Sequence, residues 1–259
     1  MEAMTSEAVC SKCGGTGFII IERANISGAE PCECRTKGIV DARAGRSQIP
    51  TLYEKASFDN FIVPGIENPT ARRELTTVLL AVKQFVRDFP NEKRPGLMLI
   101  GETGAGKTHL AVAALREIIA KGFQGLFCNY VTLLHNIREG YDEISNISDK
   151  AAYRTALDAE VLLIDDLGAH RVTAWVEDTI NTLLTFRCDK RMPVIVTTNM
   201  PDVAAKSVMT QRSGLDKPEY RRTLAETIGE RARSRLFEMC TVLRMPLTED
   251  YRVQKGKLF

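Results

Sequence analysis

Apolar residues recur at helical spacing across residues 71–89, where Leu75, Leu79, Val82, Phe85 and Val86 mark one stripe. Beyond it the period changes. Short apolar runs stand at 97–100, 125–128, 161–164, 194–197 and 241–245, with helical patterns between them. Strands alternating with helices predict an α/β fold, a parallel five-stranded sheet sandwiched by helices. Ligands of such sheets bind outside the carboxyl ends of the strands. Two zones precede this one. Residues 1–36 hold four of the seven cysteines, and 37–69 have weak periodicity with several Pro and Gly. The expected organisation is a cysteine module (1–36), a connector (37–69) and the α/β domain (70–259).

The chain has 259 residues, 44% hydrophobic and 26% charged, which suffices for a sizeable core. Net charge is only +2, so no global nucleic-acid footprint shows. From Lys206 onward, however, there are twelve Lys/Arg against seven Asp/Glu, a local excess of +5 that leaves the remainder at −3. Such a surface suits phosphates or plain solvation equally. No apolar run reaches membrane-spanning length, and residues 1–9 lack the apolar stretch of a secretory signal, so a cytoplasmic protein without membrane contact is expected. Cys128, Cys188 and Cys240 lie in apolar segments and read as reduced core residues.

The first apolar run leads straight into Gly101-Glu102-Thr103-Gly104-Ala105-Gly106-Lys107-Thr108 and then an amphipathic helix. That is a phosphate-binding loop in its required context of strand before and helix after. Gly101, Gly104 and Gly106 let the backbone curl so that amides turn inward, and the helix start adds its positive dipole end. Lys107 is expected on the β and γ phosphates of ATP, and the Thr108 hydroxyl on magnesium. A second half of the site is supplied by Val161-Leu162-Leu163-Ile164-Asp165-Asp166. Asp165, emerging from a buried strand, would hold the magnesium, and Asp166 would polarise the attacking water. A third run ends in Thr197-Thr198-Asn199, where Asn199 is positioned to reach the γ-phosphate or the water; it is also a good turn residue before Met-Pro.

In the first zone, Cys10 and Cys13 form a C-x2-C pair followed by two glycines, and Cys32 and Cys34 form a C-x-C pair. Glycines after a tight pair let backbone amides face thiolates, the construction of a zinc knuckle. A module this short buries too little apolar surface to fold unaided, so metal would supply the folding energy. His109, His135 and His170 all lie in the α/β domain, which makes the expected site four-cysteine zinc. An iron–sulfur cluster and a redox dithiol are the rival readings.

Six segments together resemble the AAA+ ATPases of the DnaC/DnaI helicase-loader and IstB-like group. They are Y-E-K-A-S-F-D-N-F from Tyr53, the glycine loop with its strand, V-T-L-L-H-N-I-R-E-G-Y-D from Val131, V-L-L-I-D-D-L-G with V-I-V-T-T-N, and I-G-E-R-A-R-S-R-L-F-E-M-C from Ile228. The likeness covers about residues 53–252. It implies an ATPase that binds a replicative DNA helicase, places it on single-stranded DNA under ATP control, and self-associates through neighbouring ATPase sites. It also puts Arg235 where the family carries an arginine finger reaching the adjacent subunit's ATP, with Arg231 and Arg233 as rivals. Members of this class usually carry glutamate where Asp166 stands, so slow hydrolysis stimulated by assembly or DNA is expected. Fourteen residues follow Met245, too few for a full helical lid. Loaders of one bacterial branch resemble this chain in an N-terminal zinc domain that contacts the helicase. The alternative is an IstB-like transposition helper that remodels DNA; such proteins generally lack the cysteines.

Other residues read as structural. His109 packs locally, and Trp175 opens a helix as a packing or subunit-contact residue. DNA contact over 131–142 rests on Arg138 alone, and 206–222 reads as a loop with five basic residues.

Overall fold

In the computed structural model, residues 10–23, 26–63, 68–90, 93–139, 149–170, 172–202 and 222–247 are described. Two strands, β1 (Phe18–Arg23) and β2 (Ile26–Pro31), pair as an antiparallel hairpin. Helix α1 (Glu33–Arg46) follows directly, with Cys32 as its N-cap. It runs across position 36, so the segment that reads as a connector starts out helical. The reason is visible at its far end. The Ser47 carbonyl accepts from the Phe127 amide at 2.7 Å, and Arg43 donates to the Gly122 carbonyl. These tertiary bonds anchor a helix whose own pattern is too polar to announce it.

Helix α2 (Pro69–Asp88) has proline at its first position and Asn68 as cap, whose side chain accepts from the Ala71 amide at 3.0 Å. Its other end is closed from outside: the Lys121 ammonium donates to the carbonyls of Arg87 (2.9 Å) and Phe89 (3.3 Å). Then come β3 (Gly96–Ile100), α3 (Lys107–Ala120), β4 (Gly125–Asn129), α4 (Tyr130–Glu139), α5 (Asp149–Asp158) and β5 (Val161–Asp165). The remainder is α6 (Ala174–Asp189), β6 (Val194–Thr198), α7 (Leu224–Ile228), α8 (Glu230–Met239) and β7 (Cys240–Arg244).

Strands β3 to β7 form one parallel sheet in the order β4-β5-β6-β3-β7. Side chains alternate across it with period two. Met98, Ile100, Leu162, Ile164, Val194 and Val196 face a core built with α4, α5, α6, α7 and α8. Leu97, Leu99, Val161, Leu163 and Ile195 face the opposite core with α2 and α3. Each fully buried Leu, Ile or Val contributes roughly 1.5–3 kcal/mol over an exposed one, so both faces need their helices. The expected sheet is therefore present, its strands displaced by at most one residue from the apolar runs. Since β3 lies between β6 and β7, the chain leaves β3 for the far edge and returns, and the loop after β3 opens into the crevice where the tips of β5 and β6 end. Residues 206–221, 140–142 and 248–259, on which the basic loop, the end of the 131–142 segment and the expected lack of a lid bear, lie outside the described residues.

Candidate functional site

The glycine loop spans the gap between the tip of β3 and the start of α3. Gly104 and Gly106 adopt left-handed backbone, with φ of 78° and 87°. Gly101 serves another purpose. A Cβ there would sit 2.6 Å from Met245 Cβ, so this glycine admits the chain leaving β7. The Met245 amide in turn donates to the Ile100 carbonyl at 2.7 Å. Over the loop lies Phe61, whose ring a Cβ on Gly106 would meet at 2.7 Å. The segment carrying Phe61 is tied down by Arg116, which donates to the Ala56 carbonyl at 2.8 Å, and by the His109 ring, whose Nε2 lies 2.9 Å from the Ser57 carbonyl. His109 is thus the local packing residue expected of it.

Helix α3 begins at Lys107, and its first ladder bond runs from the Leu110 amide to the Gly106 carbonyl. The amides of a first helical turn have no acceptor within the helix and make an anion site together with the helix dipole. Lys107 is buried, its Nζ donating to the Glu102 carbonyl at 2.8 Å, so the ammonium is folded back along the loop. Thr103 stays exposed at the crest, and Ala105 is packed underneath. The Ala105 amide bonds the Glu102 carbonyl, closing the turn.

Thr108 Oγ1 donates to Asp165 Oδ1 at 2.9 Å, joining the start of α3 to the end of β5. The same Oδ1 accepts from Thr197 Oγ1 of β6 at 2.7 Å. Burial pushes the Asp165 carboxyl above the ordinary range, the Thr197 hydroxyl draws it down, and the neighbouring Asp166 charge raises it again. Asp166 follows with φ of 55°, a left-handed conformation uncommon outside glycine, and its amide donates to Thr197 Oγ1 at 2.9 Å. Beyond β6, Asn199 Oδ1 is buried with no hydrogen-bond partner among the described residues. A buried polar atom without a partner is expensive unless a ligand or water meets it. Loop glycines, lysine, helix start, hydroxyl and carboxylate therefore meet at the tips of β3 and β5, a set that fits a magnesium-bound nucleoside triphosphate, and Asn199 follows the tip of the strand between them.

Arg231, Arg233 and Arg235 lie on α8. Arg233 is held by Asp202 at 2.7 Å and stacks on Phe237. Arg235 makes an exposed pair with Glu238 at 2.9 Å, and Arg231 is exposed. Among the described residues, the hydrogen bonds of Arg233 and Arg235 go to Asp202 and Glu238 and not to Lys107, Thr108, Asp165 or Asp166. The sequence points to Asn199 beyond the tip of β6 and not to Thr197, although a buried threonine pair ending an apolar strand is a signal of its own.

At the other end, the Sγ atoms of Cys10, Cys13, Cys32 and Cys34 all lie within 4.8 Å of one another. Cys10 and Cys32 are 3.9 Å apart, and Cys13 and Cys34 3.4 Å. Zinc–sulfur bonds of about 2.3 Å in a tetrahedron place sulfurs roughly 3.8 Å apart, so the cluster fits the ion. Gly14, Gly15 and Gly17 all take positive φ (58°, 86° and 74°), which wraps the chain so that the Gly17 amide donates to Cys13 Sγ at 3.3 Å. That amide is the main cause of a Cys13 thiol lowered to about 6. Cys34, whose proton is shared with Cys13, is raised to about 12. One thiolate with an amide on it and neighbours sharing protons is a cluster in want of a cation.

The chain matches the profile of IstB-like ATP binding protein over residues 71–213. It is 28% identical over 168 residues to the replicative helicase loader DnaC of Buchnera aphidicola subsp. Acyrthosiphon pisum, a stretch covering 65% of either protein. It is also 28% identical over 177 residues to the replicative helicase loader DnaI of Bacillus subtilis, covering 66% of this chain and 52% of that one. Among solved structures, the crystal structure of the DnaC helicase loader superposes with a TM-score of 0.59 and 30% identity, covering 76% of this chain and all (100%) of that one.

Proposed function

Because the chain belongs to the IstB-like ATP binding protein family, we propose that it is an ATP-controlled loader that binds a replicative DNA helicase and places it on single-stranded DNA. The ATP-dependent half of this reading is carried by one observation. Lys107 and Thr108 start the helix after β3 beside the tip of β5, and Thr108 is in contact with Asp165 there at 2.9 Å. The loading half is supported by similarity to proteins named as replicative helicase loaders.

In this reading the backbone from Gly101 to Gly106 cradles the phosphates, and Lys107 lays its charge against β and γ. Thr108 and Asp165 hold magnesium, which neutralises phosphate charge when bound. Asp166 orients the attacking water, and Asn199 reaches the γ-phosphate or that water. Arg235 acts in trans on the site of a neighbouring subunit. Aspartate is one methylene shorter than glutamate, so Asp166 stands farther back and turnover is slow. Cys10, Cys13, Cys32 and Cys34 hold one zinc ion and give the hairpin module the rigidity to contact the helicase. Among the described residues no helix is long and apolar enough to cross a membrane, and the reading places the protein in the cytoplasm beside the replicating DNA.

The test is a pull-down of the purified replicative helicase from the same cell, followed by helicase delivery to a single-stranded DNA template. Capture by the wild-type chain, with delivery that depends on Mg-ATP and is lost in Lys107→Ala, is the expected result. A chain that binds ATP but neither captures nor delivers the helicase overturns the loading role.

A further inference from the structure

We propose that Thr197 is a positioning residue that holds the Asp165–Asp166 pair in register for magnesium; the proposal rests on the reading of Asp165 as a magnesium-holding residue.

Thr197 is fully buried near the end of β6, where it and Thr198 carry hydroxyls after the apolar Val194, Ile195 and Val196. A hydroxyl offers one donor and two lone pairs. Here it donates to Asp165 Oδ1 at 2.7 Å and accepts from the Asp166 amide at 2.9 Å. The Thr197 carbonyl takes the Leu167 amide at 2.8 Å. Its neighbour Thr198 donates its hydroxyl to the Leu167 carbonyl at 2.8 Å, and the Thr198 carbonyl takes the Gly101 amide at 3.1 Å. Two adjacent threonines therefore fasten the acidic turn to the strand that also fixes the first glycine of the phosphate loop.

Two consequences follow for the carboxylates. Both hydroxyls that reach Asp165, from Thr108 and Thr197, converge on Oδ1. Among the described residues Oδ2 accepts none, so the side chain is clamped by one oxygen and presents the other. Asp166, in turn, holds a left-handed backbone, which aspartate tolerates better than most residues, and its amide bond to Thr197 helps fix it there. Threonine suits this post because its β-branch restricts χ1 in a strand, which fixes where the hydroxyl points. Valine copies the shape without the bonds. Serine keeps the bonds with a freer rotor.

The experiment titrates magnesium into the purified full chain bound to a fluorescent ATP analogue, comparing wild type, Thr197→Val, Thr197→Ser and Asp165→Ala. In EDTA the Thr197 variants should bind the analogue as wild type does, since the phosphate loop is untouched. The magnesium concentration for half-saturation should rise about 10- to 100-fold in Thr197→Val, the usual cost of losing a partner that orients a metal ligand. Thr197→Ser should recover most of that loss. A merely structural role would not separate the EDTA and magnesium readings. If Thr197→Val is too unstable to purify, Thr197→Cys, with its weak thiol donor, takes its place with the same expected shift. A Thr197→Val or Thr197→Cys curve identical to wild type overturns the proposal, as does Thr197→Ser failing as badly as Thr197→Val. Asp165→Ala tells the two levels apart. If it needs far more magnesium while Thr197→Val does not, only the role of Thr197 falls; if it behaves as wild type, the reading of Asp165 falls and the proposal with it.

Discussion

Lys107 and Arg187 are both buried cations, and they are held in opposite ways. Lys107 donates to the Glu102 backbone carbonyl at 2.8 Å, a contact that phosphate oxygens outbid. Lys107→Ala should weaken ATP binding by about 100-fold or more, the value of charge-assisted bonds lost. The melting temperature should stay near that of wild type, and titration with a fluorescent ATP analogue checks both parts. Unchanged affinity would remove the phosphate-loop assignment. Arg187 is 0% exposed and held through its two terminal nitrogens, which donate to the carbonyls of Ala156 (3.0 Å), Leu157 (3.1 Å) and Pro193 (2.7 Å), while its Nε has no partner among the described residues. It closes the C-terminal end of α5 and fastens it to the start of β6. Burial lowers it to about 10, still charged at neutral pH. Arg187→Leu leaves these carbonyls buried and unpaired and should cost about 3 kcal/mol in urea unfolding. A loss below about 1 kcal/mol, the net worth of one ordinary bond, would mean water replaces the guanidinium.

At the level of elements, two junctions decide whether the pieces meet. The first is the seam between β3 and β7, where Gly101 faces Met245 with no room for a methyl group. Gly101→Ala should destabilise the chain by about 1–3 kcal/mol through overpacking. It should also weaken nucleotide binding, because the phosphate loop starts at this residue; retained stability and affinity would show that the end of β7 yields easily. The second is the cysteine knuckle, whose hairpin keeps Ile20 75% exposed and so has little core of its own. Elemental analysis should find about one zinc per chain. Cys10→Ser, or a strong chelator, should release it and loosen residues 10–34 to proteolysis while leaving ATP binding intact. Iron with sulfide in place of zinc, or no metal at all, refutes this assignment.

For the whole molecule, the role proposed for Arg235 requires subunits to meet. Arg233 is committed to Asp202 inside its own chain, whereas Arg235 pairs with exposed Glu238 in an i,i+3 pair of small worth and also meets the Cys188 thiol. Breaking that pair to reach a neighbour's phosphates costs little. The isolated protein should therefore hydrolyse ATP slowly and speed up when a helicase ring or single-stranded DNA gathers subunits. Trans-acting arginines contribute about 10³–10⁵ in rate in other phosphate-loop enzymes, and a smaller gain is expected with Asp166 in the site. Mixing Lys107→Ala with Arg235→Ala under assembling conditions should restore part of the activity, because some interfaces then pair an intact site with an intact arginine. A mixture as inactive as either variant, with assembly intact, would transfer the role to the exposed Arg231.

The strands, the helix that follows the phosphate loop and the loop itself were legible in the chain because each is written locally. Period-two and helical stripes span a few residues, and a glycine loop needs its glycines, lysine and hydroxyl in one uninterrupted run. Even there, local text misassigned a reason: Gly101 looked like a curling residue, and its real constraint is Met245, 144 positions later. The four cysteines were legible for the same local cause, being two tight pairs. What the sequence could not show depended on contacts distant along the chain. Helix α1 is polar enough to pass for a linker, and its anchorage comes from Gly122 and Phe127. Thr197 looked like one more strand residue until the order β5-β6-β3 set its hydroxyl against Asp165 and the Asp166 amide. Strand order is not encoded in any one segment, since it is chosen by how helices cover both faces of the sheet, and it alone decides which strand tips become neighbours.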